Sequence, residues 1–329
     1  QLYHKGCIMK QAELFLAADS GGSKTIWTLL TKEAEVVFEY RTRGLGTVKA
    51  GIAPIEEIIT EAAEMLKNFG VIKQIYLSLG GPNTNEIYEM LKKTWPEAFV
   101  VVEREANGNA VLYAASFLKC SSVVMCGTGS TAVGLKHGKR CYSGGWGPVY
   151  GDGGSGGGLG SSALRIFLRS LDESQEIGAI ATLFQPLMKG LTITNFEDRM
   201  ELKARALNMK RDELAALAPK IYTYAENGDE LSVKLYEQAA EDVASMALAV
   251  SDTAADTNVL LCGGFFANKP IFINMCKTVF AKKSSANLVY NELFNPSTAA
   301  QMMLLKQENA NMTPKLFEKI LYKKKGSSQ

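Results

Sequence analysis

Residues Glu13–Thr25 read ELFLAADSGGSKT. A short apolar run ends in an acid, a Gly-Gly pair and a set of hydroxyl and amine donors. That pattern is a buried strand entering a turn. Ile26–Leu30 and Val36–Arg41 follow at hairpin spacing, which predicts a three-strand meander. Apolar residues recur at helical spacing over Ile52–Phe69, with Gly70 just beyond the end, so a helix is expected there. Gln74–Leu79 and Phe99–Glu103 read as strands, Asn83–Trp95 and Ala106–Leu118 as helices. The order is β-β-β-α-β-α-β-α.

The same order then recurs. Ser121–Cys126 is apolar and runs into Gly127-Thr128-Gly129-Ser130. Ala132–Lys136 and Lys139–Ser143 complete a second meander around His137-Gly138. Helical spacing marks Leu159–Leu171, Ile177–Leu191, Phe196–Leu207, Asp212–Glu226 and Glu230–Thr253. Strand Asn258–Cys262, helix Lys269–Ala281, strand Asn287–Tyr290 and helix Ser297–Gln307 close the repeat. The second half is thus the first half with a helical insertion at about 159–253, read as core and lid. Two similar α/β domains are expected, each a mixed five-stranded sheet with helices, facing one another across a cleft. Their expected bounds are 12–118 and 119–308, with a tail at 309–329 whose end, Lys323–Gln329, is expected to be disordered.

Composition narrows the function classes. The chain has 329 residues, 47% hydrophobic and 21% charged, with a formal net charge of +2. Ample apolar material for a core and a near-neutral balance give no signal for nucleic acid or a membrane surface. No run is long and apolar enough for a membrane span. Six scattered cysteines and two histidines exclude a zinc finger and disfavour a disulfide scaffold. Gln1–Lys10 has no long apolar stretch of a secretory signal, and Met9 is a second candidate start. A cytoplasmic, enzyme-sized protein is expected, with a homodimer as a possible assembly. The anomaly is glycine: ten of the 30 fall between Gly144 and Gly160.

The glycine turns are where chemistry is expected. In the first, Gly21 and Gly22 let backbone N–H groups converge on one point as an anion nest. Ser23, Lys24 and Thr25 add donors for phosphate oxygens, and Asp19 at the strand end suits a hydrated Mg²⁺ beside them. The plain alternative is a tight hairpin that contains glycine. The second turn, Gly127 to Ser130, occupies the equivalent place, so the two would converge on one ligand: a nucleoside triphosphate with its metal. The GxxxxGK[ST] loop is absent near both turns, and neither opens directly into a helix as a dinucleotide fingerprint does. Leu261-Cys262-Gly263-Gly264-Phe265 ends a strand with a Gly-Gly that either admits a flat base or ribose or is a strand-to-helix turn.

These three signals, in this order, resemble the sugar kinase, heat-shock ATPase and actin superfamily, whose domains are ribonuclease H-like. DSGGSKT is similar to its first phosphate loop, CGTGS to its second and LLCGG to its adenosine motif. Gly144-Gly145-Trp146-Gly147 and Gly151-Asp152-Gly153-Gly154-Ser155 resemble the N-acetylglucosamine kinase branch of the wider BadF-type ATPases. The resemblance covers roughly Leu14 to Leu305. It implies that Gly21 to Thr25 and Gly127 to Ser130 clamp the ATP phosphates, that Asp19 supports Mg²⁺ through water, and that Gly263 and Gly264 approach the adenosine. It implies a sugar site at Gly80, Gly81, Gly145, Trp146 and Asp152. Trp146 suits the apolar face of a sugar ring, or else anchors the loop in the core.

The family's catalytic Asp aligns with Glu105, a base one methylene longer, whose alternative role is to charge the N-terminus of the next helix. Asp152 is the reserve base. The chain departs from the family in Gly44-Leu45-Gly46-Thr47-Val48, where an Asn is common, and in Gly153, where an acid or amide is common. The implied activity is ATP-dependent phosphorylation of an amino sugar such as N-acetylglucosamine or glucosamine. The alternatives are an ATPase that energises a partner enzyme through cysteine-held iron–sulfur chemistry, with Cys126 and Cys141 as the cysteines present, and a non-catalytic nucleotide or sugar sensor.

Overall fold

The computed structural model describes residues 13–46, 52–81, 83–104, 108–254, 256–307 and 313–322. It divides into two compact units, Gln1–Cys120 with Asn291–Gln329, and Ser121–Tyr290.

The first unit is built on a five-stranded sheet: β1 (Glu13–Ser20), β2 (Lys24–Leu30), β3 (Val36–Arg43), β4 (Val71–Leu79) and β5 (Phe99–Arg104). Their spatial order is β3-β2-β1-β4-β5. The first three are antiparallel, and β1, β4 and β5 are parallel. Leu14–Ala18 of central β1 are buried on both faces, which is why that strand reads as an unbroken apolar run. Helices α1 (Ile52–Leu66) and α2 (Thr84–Thr94) are the crossovers, and α3 (Asn109–Ser116) follows β5. Ile55, Ile58, Ile59, Ala62 and Leu66 of α1 form the apolar stripe that meets the sheet.

The second unit repeats this plan. Its strands are β6 (Ser122–Cys126), β7 (Ser130–Lys136), β8 (Lys139–Gly144), β9 (Asn258–Cys262) and β10 (Asn287–Tyr290). The order β8-β7-β6-β9-β10, with β6, β9 and β10 parallel, is that of the first sheet strand for strand. Between β8 and β9 come α4 (Gly147–Tyr150), α5 (Gly156–Glu173), α6 (Ile180–Leu183), α7 (Gln185–Met188), α8 (Phe196–Asn208), α9 (Arg211–Ala215), α10 (Ala218–Glu226) and α11 (Glu230–Val250), and α12 (Pro270–Ala281) joins β9 to β10. The buried face of α11, including Tyr236, Ala240, Val243 and Ala247, joins Phe265, Phe266 and Phe272 in one core.

The structure departs from the expectation in five places. Ile177–Leu191 is two short helices rather than one, and Asp212–Glu226 is likewise split into α9 and α10. In each case a proline, Pro186 or Pro219, sits in the first turn of the later helix, where it starts a helix but cannot continue one. One-turn α4 was not anticipated. The helix α13 (Pro296–Gln307), expected in the second domain, belongs to the first unit, where it packs on β1, β4 and α3. Ser297–Leu305 are all buried, so this helix needs partners on every side and finds them on the first sheet. The expected tail contains α14 (Pro314–Tyr322), with Phe317, Ile320 and Leu321 buried and Phe317 stacked on Phe117 at 5.2 Å. Thr47, Val48, Ala106, Met9 and Lys323–Gln329 lie outside the described residues.

Candidate active site

The first turn joins β1 to β2 beyond the pair Ser20 and Thr25. Gly21 N–H donates to the Lys24 carbonyl at 3.0 Å and closes it. Beneath it lies a hydroxyl pair. Thr25 Oγ1 donates to the Arg43 carbonyl (3.0 Å), Ser20 Oγ is 2.8 Å from Thr25 Oγ1, and the Leu45 N–H donates to Ser20 Oγ (2.9 Å). Thr25 is fully buried, so its side chain supports the turn from below instead of reaching out as a phosphate donor. Gly22, Ser23 and Lys24 are exposed, and Asp19 is half-buried at the strand end.

The turn rests on a stack of glycines. A Cβ at Gly44 would lie 2.3 Å from the Gly21 carbonyl oxygen, one at Gly46 2.4 Å from the Gly80 oxygen, and one at Gly81 2.7 Å from Gly46 Cα. Backbone meets backbone at each contact, and only glycine fits. This accounts for the departure at Gly44 and Gly46. It also places Gly80 and Gly81 at the foot of the first turn, with Gly80 N–H donating to the Ser20 carbonyl at 2.7 Å.

The second turn joins β6 to β7 beyond the pair Cys126 and Ser130. It is held differently. Gly156 and Gly157, the first residues of α5, donate their N–H groups to the carbonyls of Gly127 (2.9 Å) and Thr128 (3.0 Å). Ser155 caps that helix by accepting from Gly158 N at 3.1 Å. Its hydroxyl lies 2.7 Å from the Asp152 carbonyl and 3.1 Å from that of Thr128. Ser130 Oγ donates to the Gly153 carbonyl at 2.6 Å, and Ser130 N–H to Asp152 Oδ1 at 3.4 Å.

Asp152 is 3% exposed, has φ +63°, and forms an ion pair with Arg211 of α9. The carboxylate is thereby committed to the second turn and to Arg211, which does not suit the reserve role as base. The dense glycines explain how Arg211 arrives. At Gly160 a Cβ would lie 2.1 Å from the Leu214 oxygen and at Gly156 3.3 Å from Ala215, so α9 lies directly against α5. Arg211 was not singled out in the sequence, because it sits in the helical insertion, far from any motif.

Gly263 (φ +109°) ends β9 against the root of the second turn. A Cβ there would be 2.3 Å from the Cys126 oxygen, which also accepts the Phe265 N–H at 3.0 Å. Gly264 beside it faces open space, as do Gly21 and Gly127. Gly145 N–H donates to the Ser130 carbonyl at 2.9 Å, so the loop carrying Trp146 starts from the second turn. Trp146 is 77% exposed, and the alternative that it anchors the loop in the core does not hold.

Glu105 lies outside the described residues. Glu103 accepts the Asn109 N–H (3.0 Å) at the start of α3 and also the Tyr76 hydroxyl, so the acid seen at that helix N-terminus is Glu103. Among the described residues no group of three His, Cys, Asp or Glu is placed to hold a metal ion. No helix of the described residues is long and apolar enough to cross a membrane. Cys126 is 1% exposed, with its thiol pushed well up by burial, and is in no position to ligate a cluster at a surface.

Comparison with known proteins shows what the chain is similar to. The chain is 24% identical over 316 residues to an N-acetyl-D-glucosamine kinase of Dictyostelium discoideum, covering 89% of this chain and 98% of that one. It is 25% identical over 240 residues to an N-acetylmuramic acid/N-acetylglucosamine kinase of Clostridium acetobutylicum, covering 69% of this chain and 76% of that one. Its fold is shared with a candidate N-acetylglucosamine kinase of Chromobacterium violaceum (TM-score 0.68, 21% identity, 89% of this chain and 99% of that one). It is shared more distantly with a ROK family glucokinase of Streptomyces griseus solved with glucose and AMPPNP (TM-score 0.53, 12% identity, 89% and 98%). The model of one family matches residues 18–294, and the chain belongs to that family, the BadF/BadG/BcrA/BcrD ATPases.

Proposed function

We propose that this protein is an ATP-dependent kinase of an amino sugar such as N-acetylglucosamine or glucosamine. The observation that carries the reading is the duplicated register: two glycine turns leave the central strands of two like sheets at the same place, Ser20 opposite Thr25 and Cys126 opposite Ser130. In this reading both turns bind the phosphates of ATP. The turns at Gly21–Lys24 and Gly127–Ser130 hold its phosphates, and Gly263–Gly264 lie against the adenosine. Asp19 would hold Mg²⁺ here, and the ion would supply neutralisation of phosphate charge. Trp146 packs on the sugar ring near Gly145.

Glu105 takes the proton of the acceptor hydroxyl as its oxygen attacks the γ-phosphorus. The bond from that phosphorus to the β–γ bridging oxygen breaks, and ADP leaves. The buried Cys126 argues against the partner-activating ATPase.

The test is ADP release from MgATP across a panel of amino sugars and plain hexoses. Release that depends on an amino sugar is expected. Sugar-independent release supports the ATPase instead, and none at all supports the sensor. Glu105→Gln is expected to lower kcat by about 10²–10⁴-fold with nucleotide binding kept. Near-normal turnover would remove Glu105 as the base.

A further inference from the structure

The second turn carries an electrostatic contradiction. A buried carboxylate, Asp152, stands with Oδ1 3.4 Å from the Ser130 N–H, an amide of the very turn assigned to phosphate. Like charges brought that close inside a protein repel strongly. Arg211 stands at the same point. Its Nη2 pairs with Asp152 Oδ2, and the guanidinium covers Gly129 so closely that a Cβ there would be 1.8 Å from Nη2. Its buried Nε has no hydrogen-bond partner among the described residues, yet the side chain is 36% exposed. An arginine keeps five donors, and the ion pair with one carboxylate oxygen does not use them up.

We propose that Arg211 is a phosphate-binding residue of this site, oriented by Asp152. It cancels the Asp152 charge beside the turn and presents its remaining donors to the terminal phosphates of a nucleoside di- or triphosphate at Gly127–Ser130. Asp152 is the positioning residue. The helical insertion is then part of the nucleotide site, since α9 exists to bring this one cation over Gly129. The inference rests on the nucleotide reading of the second turn.

Calorimetry with MgADP and with adenosine tests it on the full chain. In Arg211→Met, MgADP binding is expected to weaken by about 10- to 100-fold, while adenosine stays within about twofold of wild type. Arg211→Lys is expected to recover part of the loss. Arg211→Met/Asp152→Asn is expected to bind MgADP more tightly than Arg211→Met alone, because the uncompensated carboxylate is gone. Equal losses for MgADP and adenosine, or no loss for MgADP, overturn the proposal.

A wild-type chain that binds neither ligand sinks the nucleotide reading and this inference together. Unchanged MgADP binding in Arg211→Met sinks this inference alone. Where the variants fail to fold, modification of Arg211 in the wild-type chain by an arginine-specific dicarbonyl, followed by peptide mass, decides. Protection by MgADP but not by adenosine supports the proposal, and equal protection by both, or none, overturns it.

Discussion

The two glycine turns occupy equivalent places in equivalent sheets, yet they are held by opposite means. The first is held by absence: Gly44, Gly46 and Gly81 lack side chains, so backbone stacks on backbone. The second is held by presence: the Ser155 cap, the first amides of α5 and the Asp152–Arg211 pair. Duplication therefore preserved the register of the strands and the position of the turn, while each unit found its own support. A strand register is fixed by which face is buried, and a turn needs only some neighbour to fix its backbone.

The largest effect should come from filling the glycine stack. In Gly44→Val the new side chain starts 2.3 Å from a backbone oxygen that has no room to move. Turnover is expected to fall by about 100-fold or more as the first turn shifts, with a stability loss of about 1–3 kcal/mol by thermal unfolding. The matching change in the second turn, Gly129→Ala, meets side-chain atoms of Arg211 and Asp152 rather than backbone. Its turnover loss is expected to be the smaller of the two, and a larger loss at Gly129 would invert the comparison.

Ser155→Ala should cost about 1–2 kcal/mol by removing the cap of α5, and with it should loosen the second turn without touching the first. Hydrogen exchange at the amides of Gly127–Ser130 against those of Gly21–Lys24 reads that asymmetry directly. Gly21→Ala and Gly127→Ala sharpen the comparison from the other side. Both positions face open space, so stability is expected to stay within about 0.5 kcal/mol, while under the proposed function the KM for ATP rises because the added methyl obstructs the phosphates.

The smallest effect concerns Asp242 of α11, against which Gly153 packs. Burial holds its carboxyl above the usual Asp value, with hydrogen bonds from Gln238 and Gly154 opposing in part. A folded-state pKa above the unfolded one means that wild-type stability falls as pH rises from the unfolded value through the folded one. Asp242→Asn removes that charge, so its melting temperature relative to wild type should rise between pH 4 and pH 7. A difference that does not change with pH would show that burial of the charge is not felt there.

Much of this was legible in the residues. The alternation and apolar runs placed all ten strands within a few residues, because a two-sided or one-sided burial leaves its period in the sequence. The three glycine motifs were legible because a backbone that must turn or come close excludes side chains. Even α14 left a signal: Thr313 and Pro314 precede apolar residues at 317, 320 and 321, and the Thr313 hydroxyl accepts the Leu316 N–H at 3.2 Å. It was read as tail because it follows the last strand of the repeat.

The period of the residues thus determined the duplicated sheets and the positions of their turns, for periodicity and glycine are local and survive in one dimension. Only the tertiary structure decided that α13 returns to the first sheet, that Gly44 and Gly46 lie under Gly21 and Gly80, and that Arg211 meets Asp152 over Gly129. Those contacts join residues far apart in the chain, and nothing in the local pattern around Arg211 distinguishes a cation over a glycine turn from a cation in water.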